Sequence, residues 1–175
     1  MTNSNIPGMY WRFLVADDPS VEYAIIRDSD SRLNERDTIA VNDFLKSNYN
    51  IHIMRDHPHH KYKILGGMWG INTRNCSLNI GKNLGIFLNQ LKRPFKRMDD
   101  MTFLAWLLNR NNYTTLVHDN YHYDKFKDGV PFPDYNPDNK DYYHYIGEYY
   151  DQYDGNPYYN RDKALIVDYL KNENK

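Results

Sequence analysis

The stretch Val21-Glu-Tyr-Ala-Ile-Ile-Arg-Asp-Ser-Asp-Ser-Arg32 runs without a break from a β-branched apolar segment into a charged turn. Its apolar part, Val21 to Ile26, reads as a short central strand, because a strand covered on both faces needs no polar alternation. Asp28 and Asp30 then stand two apart where strand pairing stops. Carboxylates so placed can converge on one divalent cation, and Mg²⁺ or Mn²⁺ takes such oxygen ligands while keeping positions open for substrate phosphates. A bare Asp-x-Asp is more often a turn or a helix cap. Its position at a strand end is what favours the metal reading here.

Downstream, Asn34-Glu35-Arg36-Asp37 offers an N-cap with acids in the first turn. A helix is expected to about Lys46, with Ala40, Val41, Phe44 and Leu45 inward. Asn50 to Met54 alternates at period two and reads as a second strand. From Arg55 to Asn75 no period persists, and Pro58, Gly66, Gly67 and Gly70 punctuate a run expected to be a long ordered loop. Helical spacing returns from about Asn79 to Lys92 (Ile80, Leu84, Phe87, Leu88, Leu91) and from about Asp99 to Arg110 (Met101, Leu104, Leu107, Leu108). Thr114 to Val117 reads as a third strand ending at His118-Asp119. Residues 1–9 read as a loose arm and the tyrosine-rich residues 121–160 as an irregular wrap, followed by a last helix from Asn160 to Lys171. Alternating strands and helices give a single domain of the α/β class.

Composition narrows the function. The 175 residues are 41% hydrophobic and 26% charged with a formal net charge of −1, which disfavours nucleic acid as the main ligand. The densest basic cluster, Lys92, Arg93, Lys96 and Arg97, reads as a solvated helix end. A single cysteine, Cys76, allows no internal disulfide and reads as an inert thiol in a reducing compartment. No segment has the roughly 20 apolar residues of a membrane span, so a cytoplasmic location is expected. The 17 tyrosines, with abundant Asn, Ile and Lys, point to an AT-rich genome, viral or parasitic; the location would then be host cytoplasm or virion.

Other candidates for chemistry are fewer. His52, His57, His59 and His60 surround Pro58, but their spacing matches no zinc pattern and no cysteine pairs accompany them. His118 is better placed, since the carboxyl ends of strands in an open α/β sheet face the ligand crevice, where it could meet Asp28 and Asp30. Arg27 and Arg55 could hold phosphate oxygens, although salt bridges to nearby acids explain them equally well.

Eight short motifs in order carry a resemblance. Met9-Tyr-Trp-Arg-Phe-Leu14, Arg27-Asp-Ser-Asp-Ser-Arg32, His52-Ile-Met-Arg-Asp-His-Pro58 and Gly66-Gly-Met-Trp-Gly70 are followed by Asp100 with Phe103-Leu104, Val117-His-Asp119, Pro131-Phe-Pro133 and Tyr145-Ile-Gly147. Over roughly Met9 to Tyr153 the chain resembles a glycosyltransferase-like family. The resemblance implies a compact α/β domain like the C-terminal part of the metal-dependent (GT-A-like) fold. It implies Mn²⁺ or Mg²⁺ on Asp28 and Asp30 with His118 completing the site, and Asp100 as base toward the acceptor hydroxyl. The Gly66-Gly67-Met68-Trp69-Gly70 turn would shape the donor or acceptor pocket. The donor would be a nucleotide sugar and the acceptor a glycan or protein.

Two departures accompany it. Met101 stands where many relatives carry Gln, and only 27 residues precede Asp28, where such enzymes normally place a nucleotide-binding region. The base and ribose pocket is therefore expected to be lost, or completed by a second copy or a second protein. The rivals from other classes are a non-catalytic glycan- or nucleotide-binding remnant and a structural protein built on the same fold.

Overall fold

The computed structural model describes residues 6–133, 144–148, 164–166 and 168. Four strands, β1 (Tyr23–Arg27), β2 (Ile51–Arg55), β3 (Met68–Asn72) and β4 (Thr115–Asp119), form one mixed sheet in the order β1-β3-β2-β4. β3 is antiparallel to both its neighbours, and β4 is parallel to β2. Hence β1, β2 and β4 run the same way, and their carboxyl ends share one edge with the start of β3. The chain is thus of mixed α/β architecture.

β3 corrects the expectation of a structureless loop from Arg55 to Asn75. All five of its residues are buried, so the polar alternation that marks a half-exposed strand is missing. β2 is likewise buried throughout, and its apparent alternation separates two different cores. Ile51 and Ile53 join Ala24, Ile26, Trp69, Ile71 and Val117 on one face, while Met54 and Met68 join Ala40, Phe132 and Ile146 in a second cluster. Successive strand residues point to opposite faces, so His52 and Met54 lie together across the sheet from Ile53.

On this second face lies α1 (Glu35–Lys46). Asn34 caps it by accepting from the Asp37 amide at 2.9 Å, with Glu35 and Asp37 in the first turn and Lys46 in the last, matching the helix dipole. Its buried stripe is narrower than expected: Ala40 and Phe44 are buried, Val41 is half-buried and Leu45 is exposed. Buried Arg36 and Asp37 take part of the inner face instead.

The first face is covered by α2 (Ile80–Leu91), α3 (Asp99–Asn109) and a 3-10 helix over Gly8–Asp17. That helix already includes part of the expected loose arm. Its buried residues, Tyr10, Phe13 and Ala16, recur every third position, matching three residues per turn. Asp17 at its end accepts from the Ile80 and Gly81 amides at 2.7 and 2.8 Å, so a residue remote in sequence caps α2. A short helix, α4 (Tyr123–Phe126), follows β4. The expected final helix is described only at residues 164–166 and 168, which are helical, with Ile166 buried. Most of the tyrosine-rich wrap, including Tyr142 and Tyr143, lies outside the described residues.

Candidate functional site

The site begins where β1 ends. Ser31 donates its amide to the Asp28 carbonyl at 3.0 Å, closing a turn in which Asp28, Ser29 and Asp30 are all exposed. The residue before the turn is fixed differently. Arg27 holds Asp37 of α1 through Nε at 3.1 Å and Nη2 at 2.7 Å, and donates to the Ile26 carbonyl at 2.7 Å. Arg27 and Asp28 thus leave opposite faces of the sheet, the first toward α1 and the second toward the 3-10 helix and α3.

Arg27 pairs with Met68 in the sheet, which brings Asp28 alongside the Gly66-Gly67 turn entering β3. A Cβ on Gly67 would overlap the Asp28 carboxylate, lying 2.7 Å from Oδ1. One on Gly66 would overlap Asp100 and lie 2.6 Å from Arg12 Nη2. Only glycine lets the backbone approach two carboxylates this closely. Asp100 reaches the same place from the first turn of α3. Met98, at φ 77°, turns the chain into that helix, where Asp99 pairs with Arg93 at 2.8 Å. That hydrogen bond holds Asp99 below the usual carboxylate range.

Arg12 joins the two sides. One guanidinium nitrogen binds Asp28 Oδ1 and the other binds Asp100 Oδ2 at 2.7 Å. A cavity of about 510 Å³ opens here, lined by Arg12, Asp28, Gly66, Gly67, Arg97 and Asp100 among others. Its charged lining is two guanidiniums and two carboxylates, formally neutral, while burial keeps the nearby His60 far below its ordinary pKa and so uncharged. Met101 and Gly147 also line it. Gly147 sits at φ +84° with a would-be Cβ 2.7 Å from the Met68 sulfur. Asp56 holds this segment in place, accepting from the Ile146 amide at 2.9 Å, from Arg36 at 2.7 and 2.8 Å, and from Asn120 at 3.1 Å.

Several expected site residues are elsewhere. His118 does not meet Asp28 or Asp30, and the described residues contain no group of three or more His, Cys, Asp or Glu side chains that could hold a metal. The reason is geometric. β1 and β4 are the two edges of the sheet, three strand spacings or about 14 Å apart, and His118 lies on the α1 face, opposite Asp28. Its Nδ1 is 2.9 Å from His52 Nε2 and its Nε2 is 3.2 Å from Asp43 of α1. Arg55 is fully buried and binds Asp119 at 2.7 Å, Asp128 and the Lys63 carbonyl, with its guanidinium 4.3 Å from the Phe126 ring centre. Trp69 is a core residue edge-on to Phe13. Of the expected cofactor-binding residues, Gly66 and Gly67 line the cavity, while Arg27, Arg55 and Trp69 hold the fold together.

Nothing local in the sequence assigns Arg12 a role, although it stands within Met9-Tyr-Trp-Arg-Phe-Leu14. Its signal was a charged residue between two aromatics, which becomes legible only once a three-residue helical period is assumed. Compared with protein-family models, curated proteins and solved structures, the chain matches none of them.

Proposed function

We propose that this chain is a glycosyltransferase-like domain that moves a sugar from a nucleotide-sugar donor to a glycan or protein acceptor, on a fold like the C-terminal part of the metal-dependent GT-A-like architecture. One observation supports this above the others: Asp28 at the end of β1 and Asp100 at the start of α3 face a single cavity, at the sheet edge where α/β proteins bind ligands. Mn²⁺ or Mg²⁺, when bound, would neutralise a diphosphate leaving group. The fit is partial. The Asp28 side chain is 48% exposed, presents oxygen donors to the cavity, and is already balanced there by a cationic group. Asp30 is exposed on the same turn, and His118 would take no part.

In this reading Asp100 would accept a proton from an acceptor hydroxyl brought within hydrogen-bond reach. The phosphate-holding role expected of Arg27 and Arg55 falls instead to Arg97, which lines the cavity. The test is release of nucleotide diphosphate from a panel of nucleotide sugars with Mn²⁺. Asp28→Asn and Asp100→Asn should abolish turnover while leaving the melting temperature near that of the parent chain. Absence of both turnover and donor-dependent thermal stabilisation in the parent would remove the proposal. Donor binding without turnover would favour the second reading, a non-catalytic binding remnant, which the hold of Arg12 on both carboxylates also suits.

A further inference from the structure

We propose that His60 reads the sugar of the donor: held as a neutral imidazole with its proton on Nε2, it donates a hydrogen bond to an uncharged hydroxyl oxygen of a ligand in the cavity. The inference rests on the functional reading above and names a residue that would select the substrate. The geometry of the turn after β2 carries it. His60 Nδ1 lies 3.1 Å from the Asp56 amide nitrogen. A backbone amide can only donate, so Nδ1 is the acceptor, and in a neutral ring the proton then sits on Nε2. Nε2 has no hydrogen-bond partner among the described residues. The residue is partly exposed and lines the cavity, so a fixed N–H donor is what its ring has left to offer there.

The surroundings keep the ring in that state. Protonation would set a second N–H against the Asp56 amide. On the same turn stand His57, its ring centre 5.5 Å away, and His59; Tyr145 approaches from the segment 144–148 at 5.8 Å, and His122 from the chain after β4. Arg12, Arg97, Asp28 and Asp100 share the cavity lining with it. Burial and the three other imidazoles hold His60 well below its ordinary pKa, so it stays uncharged through neutral pH. The turn itself is tied twice to His57, whose Nδ1 accepts from the His59 amide at 3.1 Å and whose carbonyl accepts from the His60 amide at 2.8 Å. Asp56 in turn holds the Ile146 amide, beside Gly147 of the cavity wall. A neutral donor so fixed suits a neutral oxygen. The diphosphate needs a cation, which Arg97 supplies, whereas a sugar hydroxyl needs only a hydrogen bond. A ligand without that oxygen leaves the N–H unpaired, which is how a built donor discriminates.

The test has two parts, both on the full chain. Long-range ¹⁵N–¹H spectra of the imidazoles between pH 8 and 6 should show His60 as the Nε2–H tautomer throughout. An Nδ1–H tautomer, or an imidazolium forming in that range, overturns the proposal without any ligand. The second part is calorimetric titration of a panel of nucleotide sugars and their matching nucleotide diphosphates, with Mn²⁺ present throughout. In the parent the best sugar should bind tighter than its bare diphosphate. His60→Asn puts an amide oxygen near the Nδ1 position, so it keeps the acceptor for Asp56 and should melt near the parent. It loses the donor, and the margin of sugar over diphosphate should fall about three- to tenfold while diphosphate affinity holds. His60→Gln puts an amide nitrogen near the Nε2 position; it should melt lower yet keep most of the margin. An unchanged margin in His60→Asn overturns the role of His60 and leaves the transferase reading standing. A lost margin without turnover in the parent upholds that role and removes only the transferase reading. Binding of no probe by the parent overturns both.

Discussion

Acid should destabilise this protein through its buried imidazoles, of which His52 can be tested singly. His52 is fully buried on β2, stacked on Phe44 with ring centres 5.0 Å apart, and its Nε2 faces His118 Nδ1 at 2.9 Å. Burial, with smaller contributions from His118 and Arg27, pushes its pKa down to about 2 from 6.5. Because the folded value lies below the unfolded one, the unfolded chain binds the extra proton. Stability is therefore full above about pH 6.5 and falls as pH drops from there toward 2. The slope is about 1.4 kcal/mol per pH unit, so the loss between pH 6.5 and 4.5 is about 3 kcal/mol, a large part of a typical domain's stability. The assay is urea unfolding at pH 7 and pH 4.5, at constant ionic strength, for the parent chain and for His52→Gln. Carboxylates and the other depressed histidines, His60, His118 and His122, titrate in both proteins and cancel to first order. The variant should be weaker at pH 7, having lost its stacking on Phe44, yet should lose about 3 kcal/mol less on acidification. Equal acid sensitivity in the two proteins would refute the reasoning.

Arg55→Met should cost about 3–5 kcal/mol by urea unfolding, because it strands a buried Asp119 carboxylate that keeps, among the described residues, the Tyr121 and His122 amides at 2.9 and 2.8 Å. Asp17→Ala removes the acceptor for the first two amides of α2 and should cost about 1 kcal/mol; an unchanged melting temperature would show that solvent replaces the cap at no cost. Gly67→Ala should displace Asp28 from Arg12. Double-mutant analysis with Asp28→Ala, which removes the clashing atoms, should show strong coupling by urea unfolding, whereas additive effects would mean that the turn moves instead of the carboxylate.

The positions of β1, α1, α2, α3 and β4 were legible because each has local evidence: an uninterrupted apolar run, a capping Asn, or apolar residues at helical spacing. β3 was not, because it is short, glycine-containing and buried on both faces, so neither alternation nor length distinguishes it from a loop. Strand order was also out of reach. Sequence order suggested that strand ends would gather His118 with Asp28, but inserting β3 between β1 and β2 sends β4 to the far edge. The face on which each side chain leaves its strand separates them further. Asp28 was singled out by its place at a strand end, and Gly66, Gly67 and Asp100 by the resemblance; all four line one cavity. Arg12 reaches partners 16 and 88 residues away, a relation that no short-range pattern encodes.

The pitch of the N-terminal 3-10 helix has a mechanical meaning for the cavity. At about 120° per residue it completes whole turns between Tyr10 and Ala16 and keeps Met9 and Arg12 on one ridge. An α-helix, at about 100° per residue, would fall about 120° short over the same span, unable to seat both Tyr10 and Ala16. The aromatic ridge therefore selects the tighter winding, which is uncommon at this length. In doing so it sets the angle from which a positive charge enters the cavity. Substitutions that favour ordinary helix in this segment would act like a turned screw, withdrawing Arg12 from its carboxylates without altering any residue that touches them.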